Sequence, residues 1–173
     1  GIFDCYKDYK SACFMSATPI NSDFKPNALK DLEEIEAVWN DIDTLKVKLE
    51  YTNKPYVRAA NIIKAYKADG YISVNGVKSY EAFFFINSVS DILKLIEYTD
   101  LQPEDVRIIC ANTETNQKKL GKFQIENSNC PNKKFTFLTC KSFEGVDYES
   151  DTALCFVVST ASNAHTQASI DTD

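Results

Sequence analysis

The sequence predicts an α/β protein in which a central, mainly parallel sheet is wrapped by helices on both faces, a three-layer α/β/α sandwich. Three observations point there. Short apolar runs of strand length alternate with stretches whose apolar residues recur every three or four positions. The run Ala82-Phe83-Phe84-Phe85-Ile86 is continuously apolar and too short for a helix, as expected of a strand buried on both faces. The order strand, polar turn, helix then recurs, and right-handed crossovers turn that order into a parallel sheet.

Taken in order, Cys13-Phe14-Met15 reads as a short strand stopped by the loop Ser16-Ala17-Thr18-Pro19, where proline removes a backbone donor. Leu29, Leu32, Ile35, Glu36 and Trp39 follow at helical spacing. Leu45, Val47, Leu49 and Tyr51 alternate with Lys46, Lys48 and Glu50, the pattern of an edge strand with one solvated face. Pro55 opens a helix with Val57, Ala60, Ile63 and Tyr66 on one face, and Gly70 closes it. Asn75-Gly76 marks a tight hairpin turn.

Beyond the strand at 82–86, Asn87-Ser88 make a polar turn, and Val89, Ile92, Leu93 and Ile96 predict a helix with Ser90 and Asp91 near its start. Residues 106–110 form the next strand, 112–116 a polar loop, and 117–120 a weak helix. Strands follow at Phe135–Leu138 and Ala153–Val158. From Ser159 the chain is small and polar, with Ile170 its one large apolar residue, and it reads as a mobile tail. In a parallel sheet ligands collect at the carboxyl ends of the strands, so the turns 87–88, 111–116 and 139–147 are where function is expected.

Composition narrows the function. The 173 residues carry 44% hydrophobic and 12% aromatic side chains, an ordinary globular balance. With 19 basic and 25 acidic side chains the net charge is −6, so no global positive field draws in phosphate. Six cysteines stand at 5, 13, 110, 130, 140 and 155 without a CxxC pair, and His165 is the single histidine, which is no zinc pattern. Cys13, Cys110, Cys140 and Cys155 lie in or beside apolar runs and are expected as small buried residues of a reducing compartment, the cytoplasm. No run approaches the ~20 apolar residues of a membrane span, and no signal peptide is recognisable. Gly1 in place of an initiator Met reads as a remnant, and the chain as an excised piece.

Three segments in fixed order resemble motifs of the superfamily 2 nucleic-acid helicases. Ser16-Ala17-Thr18 resembles the SAT motif that ends the first RecA-like lobe, and Phe84-Phe85-Ile86-Asn87-Ser88 resembles motif IV. The fullest match is Thr139-Cys140-Lys141-Ser142-Phe143-Glu144-Gly145-Val146-Asp147, which is similar to motif V without gaps. A hydroxyl and open N–H groups at a strand's carboxyl end suit phosphate, and glycine permits close approach.

The resemblance implies a division of the chain. Residues 1–20 would end the first lobe, 21–44 would be linker and helix, and 45–173 would be the second lobe, stopping short of motif VI. It further implies that Ser16, Ala17 and Thr18 couple the two lobes, that Asn87, Ser88, Thr139, Lys141 and Ser142 face nucleic acid, and that Gly145 and Asp147 approach ATP. The partners implied are a DNA or RNA single strand and the N-terminal RecA-like lobe.

ATP hydrolysis needs a phosphate cradle, a metal and a charge-stabilising arginine together. The sequence contains no GxxxxGK[ST] loop and no Asp-Glu pair placed after a strand, so this chain alone is expected to be inactive. ATP and Mg belong to the intact protein that the resemblance implies.

Plainer readings stand beside these. Asn87-Ser88 also suit a helix cap, Trp39 a packing residue, and Glu144, Asp147, Glu149 and Asp151 a solvated acidic turn. His165 has no partner acid or nucleophile beside it. Lys118, Lys119, Lys122, Lys133, Lys134 and Lys141 form the locally basic region, useful to a strand only if the fold gathers them near residue 139. A non-enzymatic α/β interaction module and a flavodoxin-like small-ligand domain are the alternative functions.

Overall fold

The computed structural model describes residues 7–15, 25–35, 47–142 and 148–160. It divides into two units, Gly1–Lys48 and Leu49–Asp173, each taken by itself.

In the first unit Pro26 precedes a single 3-10 turn, Asn27–Leu29, closed by the Leu29 amide on the Pro26 carbonyl at 2.9 Å. Leu29 is buried, and Lys25 pairs with Glu34 at 3.2 Å. The helix expected through Leu32 and Ile35 is absent over 30–35, where Ile35 is 86% exposed. An exposed residue such as Ile35 adds no burial to offset the cost of nucleating a helix. Trp39 lies outside the described residues. The strand expected at Cys13-Phe14-Met15 is likewise absent, since residues 11–15 join no ladder.

The strand expected over 45–51 also fails in its described part, 47–51, which crosses from one unit into the next. Val47, Leu49 and Tyr51 are all exposed and none is laddered. Alternation specifies a face, but a strand needs a neighbour to hydrogen-bond.

The second unit follows its pattern closely. Helix α1, Pro55–Asp69, has Pro at its first position and Gly70 at its C-cap with φ 80°, a left-handed turn that a side chain would strain. It buries Ala59, Ala60, Ile63 and Tyr66, whereas Val57, expected on that face, is largely exposed. Strands β1, Ile72–Val74, and β2, Val77–Ser79, form an antiparallel hairpin around Asn75 (φ 51°) and Gly76 (φ 82°), the two positive angles that a tight two-residue turn requires.

The main sheet has four parallel strands: β3, Ala82–Phe85; β4, Val106–Ile109; β5, Phe135–Leu138; and β6, Leu154–Val157. Their spatial order is β4-β5-β3-β6. Ala82, Val106, Phe135 and Leu154 lie in one row, so the strands run in register. Helix α2, Val89–Thr99, joins β3 to β4, and helix α3, Glu114–Leu120, follows β4, beginning three residues earlier than expected at the cap Thr113. Ile125 then forms a parallel bridge with Ile108 on the outer side of β4.

The pleat sends alternate residues to opposite faces. Ala82, Phe84, Val106, Ile108, Phe135 and Phe137 share one core with α1, α2 and Leu120 of α3. Phe84 stacks between Phe137 and Phe156 with ring centroids 5.4 and 5.1 Å away. On the other face Phe83, Ile109 and Leu138 form a second cluster against Phe85, Tyr148 and Ala153. Lys67 of α1 reaches the last turn of α2, donating to the carbonyls of Thr99 at 2.7 Å and Asp100 at 2.9 Å. Those are unpaired helix-end acceptors, and a cation there suits the dipole.

Of the cysteines expected to be buried, Cys110 is buried, but Cys13, Cys140 and Cys155 are exposed. Cys140 begins a turn beyond its strand, and Cys155 lies on the outermost strand β6, so an apolar neighbourhood in sequence does not become one in space. No helix among the described residues is long and apolar enough to cross a membrane.

Candidate functional site

The chain leaves β3 toward β4, passing β5, and leaves β5 toward β6, passing β3. Adjacent strands whose connections depart in opposite directions open a crevice at their carboxyl ends. The turns after β3 and β5 stand there side by side.

The Ile86 amide donates to the Leu138 carbonyl at 2.8 Å, and the Thr139 amide to the Ile109 carbonyl at 3.1 Å, so the ladder runs to the rim. Past it the Cys140 amide donates to Oδ1 of Asn87 at 3.2 Å, tying the two turns together. Cys140–Ser142 is a 3-10 turn in which the Ser142 amide donates to the Thr139 carbonyl at 2.9 Å.

Exposure separates the expected residues. Lys141 points into solvent, Asn87 and Ser88 are half-buried, and Thr139 and Ser142 are buried at 7% and 6% exposure. Ser88 is also the N-cap of α2, its Oγ accepting from the Asp91 amide at 3.2 Å. Ser16, Ala17, Thr18, Gly145, Asp147 and His165 lie outside the described residues.

Behind Ser88 stands a polar group that pattern reading missed. Tyr56, at the start of α1, donates to Asp91 at 3.2 Å, and Lys94 donates to the other Asp91 oxygen at 3.0 Å. Burial, then the Asp91 carboxylate, push the Tyr56 hydroxyl up to about 12. At Asp91 burial raises the carboxyl, but hydrogen bonds with Lys94, Ser88 and Tyr56 outweigh it and hold the pKa below its ordinary value. The turn 111–116, by contrast, satisfies itself: Asn116 donates to the Ala111 carbonyl at 2.8 Å and Gln117 to Asn112 at 2.6 Å.

The lysines do not gather. Lys133 is held at the amino end of β4 by the carbonyls of Pro103 and Val106 and by Glu126 at 2.6 Å. Lys134, just before β5, also belongs to that end, its carbonyl accepting from the Ala82 amide. Lys119 reaches Ser90 at 3.3 Å, near the start of α2, and Lys141 is at the rim itself. Among the described residues no group of three or more His, Cys, Asp or Glu side chains is placed to hold a metal ion.

On the face away from the helices Arg107 is 1% exposed. Its Nε donates to Thr136 Oγ1 at 3.2 Å and its Nη1 to the Cys130 carbonyl at 2.5 Å, while Nη2 has no hydrogen-bond partner among the described residues. The guanidinium lies 5.7 Å from the Phe83 ring centroid. A single charge inside the apolar run 106–109 was the sequence signal for this residue.

Comparison of the chain with protein families, with curated proteins and with solved structures found no match. The fold defines the class, an α/β protein with an all-parallel four-stranded sheet.

Proposed function

We propose that the chain is the second RecA-like lobe of a superfamily 2 DNA or RNA helicase or translocase, an α/β unit that lends its sheet rim to a single strand. The observation that carries this reading is the hydrogen bond from the Cys140 amide to Asn87, because it joins the motif IV-like and motif V-like turns at one rim of adjacent parallel strands. Two segments that resemble one family's motifs, 53 residues apart from Asn87 to Cys140, meet there at the ends of adjacent strands.

In this reading Lys141 meets the phosphate backbone, the partly exposed Asn87 and Ser88 flank it, and the buried Thr139 and Ser142 shape the turn. The first lobe, coupled through Ser16, Ala17 and Thr18, supplies the phosphate cradle. Gly145 and Asp147 face ATP across the cleft. ATP and magnesium, which the resemblance implies for the intact protein, are assigned in this reading to the cleft with the first lobe.

The test is fluorescence anisotropy of labelled single-stranded DNA and RNA 20-mers at low ionic strength. With a net charge of −6 opposing it, binding is expected to be weak, with Kd about 10–100 µM, and to weaken further with salt. Lys141→Glu is expected to weaken it about tenfold. Absent binding in the wild type, or equal binding by Lys141→Glu, overturns the reading.

A further inference from the structure

The rim turn is held at its Cys140 amide by Asn87, and its other end is held from the opposite face of the sheet. There the Tyr148 hydroxyl donates to the Ser142 carbonyl at 3.1 Å. The Tyr148 ring packs on Phe83 with centroids 5.7 Å apart and planes inclined at 57°. Phe83 is buried in β3 and carries the Arg107 guanidinium near its ring. Burial raises the Tyr148 pKa, so the hydroxyl keeps its proton and remains a donor through the neutral range. Ser142 in turn donates its amide to Thr139, so the hold on its carbonyl passes to the whole turn.

We infer that Tyr148 is the positioning residue of this rim: its ring anchors to Phe83, and its hydroxyl fixes the height at which the 139–142 turn presents Lys141. Ring and hydroxyl have separable duties. The ring belongs to the packed cluster of Phe83, Ile109 and Leu138 and contributes to stability. The hydroxyl adds little to that cluster; its hydrogen bond is to the turn. What the turn contacts rests on the helicase reading; that Tyr148 fixes it does not.

The experiment compares the full chain with Tyr148→Phe, which keeps the ring, and Tyr148→Leu, which does not. In Tyr148→Phe the denaturation midpoint is expected to stay at the wild-type value. Amide exchange at 139–142 should speed up about fivefold, the worth of one hydrogen bond, with exchange in β3 and β5 unchanged. Affinity for the single-stranded 20-mer should fall by about the same factor. Tyr148→Leu should lower the midpoint as well. Unchanged exchange at 139–142 in Tyr148→Phe overturns the inference, as does faster exchange with unchanged affinity. A wild type that binds no oligonucleotide defeats the helicase reading instead, and the exchange comparison alone then decides Tyr148.

Discussion

On one face of the sheet Ala82, Phe84, Phe135 and Phe137 meet apolar side chains of α1 and α2, while on the other Phe83, Ile109 and Leu138 share their layer with Arg107 and Thr136. The first face is held by area and close packing, which is non-directional and tolerant of where each group points. The second is held partly by donors and acceptors whose geometry is fixed, and a buried guanidinium there is costly unless each of its N–H groups is met. The contrast teaches where each kind of damage should register: volume matters on the helix side, and polarity on the other.

The largest expected effect tests the first half of that contrast. Phe84→Ala removes a ring stacked between two others at the centre of the helix-covered face and should cost about 3–5 kcal/mol in urea denaturation. Arg107 tests the second half. Arg107→Ala should cost about 2–3 kcal/mol, leaving the Cys130 carbonyl and Thr136 without their donor and opening a cavity. Arg107→Met, of similar length, should recover most of that loss, because it also removes a charge whose Nη2 was unmet. If Met is as damaging as Ala, the face depends on the charge itself.

Tyr66 sharpens the comparison from within the packed face, where its hydroxyl is a buried polar tip. Its hydroxyl shares a hydrogen bond with Ser79 Oγ at 2.6 Å and donates to the Glu81 carbonyl at 3.1 Å, and its ring meets Phe135 edge-on at 5.8 Å. Tyr66→Phe should cost about 1 kcal/mol by thermal denaturation.

The smallest effects lie at the rim and appear only at the ends of the pH scale. Tyr56 has a folded pKa of about 12 against an ordinary 10.0, so its contribution is full below 10 and is lost as pH rises from 10 toward 12. Tyr56→Phe should flatten that alkaline loss in midpoints measured against pH. Asp91 is depressed, so its contribution is present above the ordinary 3.8 and is lost as pH falls below it. Asp91→Asn should remove that part of the acid sensitivity.

Much of the second unit was legible because its signals are local and mutually consistent. Pro55 and Gly70 bracket α1, Asn75-Gly76 sets the hairpin, and the unbroken apolar run at 82–86 contains the strand Ala82–Phe85, whose first three residues are buried. The described stretches 29–35 and 47–51 misled because their periodicities predict faces, and a face becomes an element only when something covers or pairs it. Of the candidate site, the rim position of the turns followed from strand direction. What periodicity could not convey was the traffic between distant residues, Asn87 with Cys140 and Tyr56 with Asp91. Each joins segments that only the fold brings together, a proximity no single window of sequence contains. Tyr148 with Ser142 is close in sequence, but no periodic pattern marks the pair.

Two helices of this unit are fastened to each other at both extremities, α1 to α2 through Tyr56 with Asp91 at one end and Lys67 with Thr99 and Asp100 at the other. Sliding or swivelling one helix on the other would break polar contacts at both ends, so the register of α1 against α2 is fixed by bonds as well as by packing.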